Sequence, residues 1–365
     1  MLLHVPRPTP HCSSALHAAA ALAMVVSAGC TTTGSSASAG APAVPVVTSV
    51  AAPVATPVAA PTAAEGLDRF EQQQLFKQLG DIQLHQQLGD EMIVRTLRYA
   101  GADDMIIPAY FFAPRDTTSR RPVVLLVHGG IHGAFDLLFA PQVRSLVNQG
   151  YVVVAPEYRG STGYGRAHYE AIDYGGKEVE DVIAALDYLA AFVPYADTSR
   201  VGITGRSHGG FIALHAIFRQ PGRFDVAVPH VPVSDLPARI RTHSDSYHRQ
   251  FAEQKGFGAR LEDNPRPYVE RSPSAHVRKL QTPLLVHAAD NDQDVFIVEN
   301  RILRDSMVAA GKNRDGLYTY REWHDPPGGH AFSRMDTKAG NESWRETVAF
   351  LNRYLKHAVP ARRGN

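Results

Sequence analysis

The sequence predicts an α/β domain, a mostly parallel central sheet flanked by helices, and three observations carry the prediction. Short, wholly apolar runs such as Val123-Val124-Leu125-Leu126-Val127 fit strands buried on both faces. Segments with apolar residues at helical spacing alternate with these runs. Glycine-rich or aspartate-rich turns follow the runs, at the strand ends where open α/β sheets gather their functional loops.

Taken in order, residues 67–88 are glutamine-rich, and Phe70, Leu75, Phe76, Leu79 and Ile82 recur at helical spacing, predicting a helix packed on the domain's side. Residues 92–100 and 105–113 read as an antiparallel entry hairpin turned at Gly101-Ala102-Asp103-Asp104. Residues 123–127 are the first buried strand, 140–149 a helix stopped by Gly150, and 152–155 the next strand. In 178–192 the residues Val179, Val182, Ile183, Leu186 and Leu189 share one helical face. That helix leads into the strand Val201-Gly202-Ile203-Thr204, followed by a helix over 211–219. Residues 231–280 are too long for a simple connection and polar enough to lie on the surface, so they are expected to form a small helical cap. Strands at 283–287 and 317–321 complete the series.

The folded domain is expected over 65–360, and what precedes it reads as address and tether. Arg7, an alanine-rich apolar stretch over 15–27 and the small residues Ser27-Ala28-Gly29 before Cys30 have the form of an export signal over 1–30. The stretch is too short for a membrane span. Cys30 stands where a bacterial lipobox places its lipidated cysteine, although Ser27 replaces the usual aliphatic residue. A lipid there would hold the chain at a membrane surface, with an exported, periplasm-facing location expected. Residues 31–64 are Ala, Pro, Thr, Ser, Val and Gly almost throughout, a composition that cannot build a core and suits a disordered linker. Cys12 and Cys30 are the only cysteines, so the domain is expected to fold without a disulfide. With 37 Lys+Arg against 36 Asp+Glu there is no field of one sign, and nucleic acid is not an expected partner.

Gly205-Arg206-Ser207-His208-Gly209 matches G-x-S-x-G directly after an apolar strand, the pattern of a nucleophile elbow in α/β-hydrolases. A serine on such a strand-to-helix turn is strained and exposed, which makes Ser207 the candidate nucleophile. The fold's chain order then requires an acid and a histidine. Asp290, Asp292 and Asp294 follow the 283–287 strand, and His330 ends the loop Pro326-Pro327-Gly328-Gly329-His330 after the 317–321 strand. His128-Gly129-Gly130 follows the first buried strand, where the fold places its second oxyanion donor, so the backbone N–H groups of Gly130 and His208 are the candidate oxyanion hole. The three alternate aspartates do not make a calcium loop, because Val295 stands at the glycine position and Arg301 at the glutamate position. Neither His128 with His132 nor His324 with Asp325 and His330 has metalloenzyme spacing, and no metal or other cofactor is expected. Arg239, Arg241 and His243, at the start of the cap, are candidates to bind an anionic part of the substrate.

Over most of 123–355 the chain resembles the catalytic domain of the prolyl oligopeptidase family of serine hydrolases. The resemblance rests on His128-Gly129-Gly130, Tyr158-Arg159-Gly160-Ser161-Thr162-Gly163-Tyr164-Gly165, Asp181, Gly205 to Gly210, Ser272-Pro273 with Thr282-Pro283-Leu284-Leu285, and Gly328-Gly329-His330-Ala331-Phe332. It implies Ser207 as nucleophile, His330 as general base and Asp292, three residues before Val295, as the acid, with Asp290 and Asp294 as rivals in the same loop. The residues between 65 and 121 are too few for the β-propeller of many relatives, so dipeptide-releasing specificity is not expected to carry over. The expected activity is hydrolysis of peptide bonds in small peptides. Hydrolysis of small acyl esters is the nearest alternative, and a non-catalytic envelope binding protein the more distant one.

Overall fold

The computed structural model describes residues 67–356. The expected signal, Cys30 and the whole linker lie outside these residues.

Eight strands form one sheet: β1 (Ile93–Ala100), β2 (Ile106–Ala113), β3 (Arg121–Val127), β4 (Val152–Pro156), β5 (Ala196–Arg206), β6 (Val226–His230), β7 (Leu284–Ala289) and β8 (Tyr318–Trp323). Their spatial order is β1-β2-β4-β3-β5-β6-β7-β8. The entry hairpin pairs antiparallel with Ile93 opposite Ala113, and β2 joins β4 antiparallel. From β4 onward every pairing is parallel. The helices are α1 (Arg69–Leu88), α2 (Ala140–Asn148), α3 (Arg166–Glu170), α4 (Lys177–Phe192), α5 (His208–Arg219), α6 (Leu236–Thr242), α7 (Asp245–Ala252), α8 (Arg266–Glu270), α9 (Ile297–Ala309) and α10 (Lys338–Leu355).

Alternation within β3 shows why these strands are apolar throughout. Val123, Leu125 and Val127 join a core with α4, α5 and α9, while Val124 and Leu126 join a second core with α1, α2 and α10. A strand covered by helices on both faces has no solvent side. Within the 231–280 segment, α6, α7 and α8 do form a helical insertion, anchored through Leu236, Ile240, Phe251 and Tyr268 in the first of these cores.

Helix α1 begins with a capping box. Asp68 accepts from the N–H groups of Phe70 and Glu71, and Glu71 accepts from the Asp68 N–H. Its packing face is not the expected one. Leu75, Phe76, Leu79 and Ile82 are exposed, Phe76 at 71%. The helix instead turns Lys77, Leu84 and Leu88 inward. The reason is a buried carboxylate: Lys77 Nζ lies 2.9 Å from Glu157, which is fully buried, and also donates to the Phe135 carbonyl. A charge that would otherwise be unpaired in the interior sets the helix's rotation.

Candidate active site

Ser207 links the end of β5 to the start of α5, with φ 59° and ψ −120°. A β-carbon in that region of backbone space costs on the order of 1–3 kcal/mol. Hydrogen bonds hold it there from both sides: its N–H donates to His230 O at 2.9 Å, and its carbonyl accepts from Phe211 N at 2.9 Å. The flanking glycines are required by close approach. A β-carbon on Gly205 would lie 2.6 Å from the Gly209 backbone, and one on Gly209 would lie 2.2 Å from Val127 O.

The His128-Gly129-Gly130 loop crosses directly over this elbow, since a β-carbon on Gly129 would meet Arg206 O at 2.8 Å and the Ser207 side chain at 3.2 Å. Gly130, at φ 74°, turns the chain there. His208 is the first residue of α5, where an N–H has no partner within its own helix. The glycine-tyrosine stretch, whose motif alone assigns it no task, braces this loop. Tyr158 stacks on His128 at 4.3 Å, and its hydroxyl donates to Gly130 O at 2.7 Å. His132 Nδ1 lies 2.8 Å from Gly160 O, and the Thr162 hydroxyl donates to His132 O at 2.6 Å. Arg159 ties the stretch to Asp181 on α4 by two bonds of 2.7 and 2.8 Å. Ser161 sits inside the brace, its hydroxyl donating to Tyr158 O and lying 2.9 Å from His128 Nε2.

Across the cleft, Asp292 is buried and directed at His330, with 2.7 Å between its Oδ2 and the imidazole Nδ1. Its other oxygen accepts from the N–H groups of Asp294 and Val295, both at 2.8 Å, so the carboxylate is fixed in orientation. The two rivals are engaged elsewhere. Asp290 binds His324 and the Asp325 N–H, which hold its carboxyl below the usual range. Asp294 is solvent-exposed, with an oxygen 3.8 Å from His330 Nε2. Among the described residues no hydrogen bond joins Ser207 to His330, a looseness common in unliganded sites.

A cavity of about 150 Å³ opens beside the elbow, lined by Ser207, Gly130, His208, Arg239, Tyr247 and Phe251 among others. Of the three cap residues singled out in the sequence, Arg239 reaches it, held by Glu299 at 3.0 Å and Tyr247 at 2.7 Å. His243 stands behind, Nδ1 2.7 Å from Arg239 O, and Arg241 is exposed. Among the described residues no three His, Cys, Asp or Glu side chains converge to hold a metal.

A model of the prolyl oligopeptidase family matches residues 138–358. The chain belongs to that family. Rice acylamino-acid-releasing enzyme 1 is 30% identical to it over 199 residues, 50% of this chain and 25% of the rice protein. The uncharacterized peptidase YuxL of Bacillus subtilis is 30% identical over 224 residues, 60% of this chain and 34% of its own length. This prolyl oligopeptidase family member thus spans well under half the length of the curated relatives it matches. A puromycin-hydrolyzing peptidase of Mycobacterium tuberculosis superposes with a TM-score of 0.61 at 28% identity, over 72% of this chain and 39% of the other. An acylaminoacyl peptidase bound to Z-Gly-Gly-Phe-chloromethyl ketone, at TM-score 0.65 and 19% identity, covers 76% of this chain and 44% of its own and shares the α/β fold.

Proposed function

We propose that this chain is a serine hydrolase that cleaves peptide bonds through an acyl-enzyme formed on Ser207. The observation that carries the reading is the left-handed Ser207, held on the elbow in the wall of the same cavity as Gly130 and His208. Its Oγ attacks the scissile carbonyl while His330 Nε2 takes the hydroxyl proton. Asp292 keeps the other nitrogen protonated and stabilises the imidazolium. The N–H groups of Gly130 and His208 receive the carbonyl oxygen as it gains charge. Collapse breaks the C–N bond, and His330 passes its proton to the departing amine. Water, deprotonated by the same imidazole, then releases the acid and restores Ser207.

Peptides are favoured over esters because the relatives are named as acylamino-acid-releasing enzymes and peptidases. The test is fluorophosphonate labelling of the purified protein and of Ser207→Ala, followed by matched chromogenic esters and peptidyl anilides. Labelling lost with the serine, with anilides turned over, is the expected result. An unlabelled folded protein would leave the family fold without the activity.

The N-terminal features fit an exported protein held at a bacterial membrane by lipid on Cys30. Incorporation of an alkyne fatty acid that disappears in Cys30→Ser tests this reading. Equal incorporation in both chains refutes it.

A further inference from the structure

Lys77 stands on α1, outside the residues that the family model matches, yet it reaches the loop that crosses the elbow. That loop, residues 128–135, carries Gly130, whose N–H is one of the two candidate oxyanion donors. A single carboxylate holds both of its ends. Glu157, directly after β4, is fully buried. Its Oε1 accepts from the Phe135 N–H at 3.0 Å, and its Oε2 lies 3.2 Å from His128 Nε2. The His128 ring is pinned on both sides, with Nδ1 3.0 Å from Gly129 O and Nε2 2.9 Å from Ser161 Oγ.

Lys77 completes the clamp. Its Nζ lies 2.9 Å from Glu157 Oε1 and donates to Phe135 O at 2.6 Å, so one ammonium touches both the carboxylate and the loop end that the carboxylate grips. The Tyr110 ring covers the ammonium at 4.3 Å. Asp81, the other carboxylate nearby, is 3.5 Å away and receives the Tyr110 hydroxyl. Burial pushes the Glu157 carboxyl up, and Lys77, ahead of His128, brings it below the usual range. A buried carboxylate that loses its cation is left as an uncompensated charge, and its surroundings must shift or open to relieve it. Here those surroundings are the two ends of the 128–135 loop. Lys77 does not line the cavity beside Ser207, so its influence on a reaction there passes through the loop.

We propose that Lys77 is a positioning residue for the oxyanion hole: by pairing Glu157, it fixes the 128–135 loop and with it the Gly130 N–H beside Ser207. The inference rests on the hydrolase reading above. Removing an oxyanion donor outright costs about 10²- to 10³-fold in kcat, and misplacing one by about an ångström up to roughly a hundredfold.

The test compares the full chain with Lys77→Met, below the melting temperature of both, on a peptidyl anilide and on two peptides of one sequence. The first peptide ends in a trifluoromethyl ketone, which Ser207 converts to a tetrahedral oxyanion, and the second in a plain amide, which forms none. We expect kcat to fall about 10- to 100-fold with KM little changed. Affinity for the ketone should fall by the same factor as kcat/KM, and affinity for the amide by less than about threefold, because only the ketone mimics the charged transition state. Lys77→Met/Glu157→Gln, which leaves no charge unpaired, should recover part of both losses, and it carries the comparison if the single variant does not fold. Equal loss of ketone and amide binding, or a kcat within about threefold of wild type, overturns this inference alone when the wild-type protein labels and turns over anilide. A folded wild-type protein that neither labels nor turns over substrate overturns it together with the hydrolase reading.

Discussion

The Arg206 guanidinium donates to the carbonyl oxygen of His330 at 3.1 Å, so the residue immediately before Ser207 holds the loop that carries His330. Arg206 fills the variable position of G-x-S-x-G, to which the motif assigns no task. Its guanidinium is largely enclosed, and burial, with Arg334 nearby, pushes it down to about 10. Asp292 and Asp294 favour the charge from nearby, and its bond to His330 O gives the guanidinium a positional role. In Arg206→Met the His330 loop loses this tie, and misplacement by about an ångström costs up to roughly a hundredfold in rate. We expect kcat to fall about 10- to 100-fold with KM changed little. Steady-state kinetics on a peptidyl anilide decide it, and a change confined to KM would assign Arg206 to substrate binding instead.

The three aspartates after β7 separate by what they touch. Only Asp292 meets the imidazole Nδ1, whereas Asp290 holds the His324–Asp325 turn. Asp292→Asn should lower kcat about 10⁴-fold, as loss of the orienting carboxylate does in other triads. Asp290→Asn should stay within about threefold of wild type. Should the two exchange their effects, the acid has been assigned to the wrong residue.

Most of the sheet is legible in the sequence because β4, most of β3 and the opening Leu284-Leu285-Val286 of β7 are apolar, as two-sided burial demands. Strand β6 is not, since its five residues include Pro229 and His230, which break the apolar signal although both are buried against β5 and β7. The rotation of α1 is hidden for a different reason. Apolar periodicity names the face with Phe76 and Leu79, but the pairing of Lys77 with buried Glu157, far apart in sequence, decides which face turns inward. Ser207 and His330 are readable from short motifs. The choice among three aspartates and the brace from Tyr158 to Gly130 depend on contacts that no local pattern records.

Gly209 makes the elbow possible by having no side chain. A β-carbon there would lie 2.2 Å from Val127 O and 2.5 Å from His128 O, both backbone atoms that no rotamer can relieve. Gly209→Ala therefore forces apart β3 and the start of α5. Overpacking of this kind costs about 1–3 kcal/mol, or roughly 2–12 °C in melting temperature for a domain of this size. Thermal melts check it, with Gly222→Ala as control because a β-carbon there meets nothing within 4 Å. Equal melting temperatures for the two variants would contradict the close approach.

Acid should unfold this domain through its buried histidines. His168, His208, His215, His230 and His287 are all held below the ordinary histidine value, burial being the leading cause in each, and His230 falls to about 3. His230 and His287 stack at 4.8 Å behind the elbow, with Glu346 at 4.0 Å from His287 Nδ1 as the nearby carboxylate, while burial outweighs it. The sign follows from linkage. The unfolded chain takes up protons near pH 6.5 and the folded one does not, so this stability is complete above that pH and is lost as pH falls toward 3. Glu157 acts in the same direction: burial would raise it, but Lys77 and His128 outweigh burial and hold it low, so its contribution fades below about 4.5. We expect the urea midpoint to drop steadily between pH 7 and pH 4, with a shallower drop in His230→Leu. A midpoint that stays level across that window would mean the buried imidazoles gain protons without opening the fold.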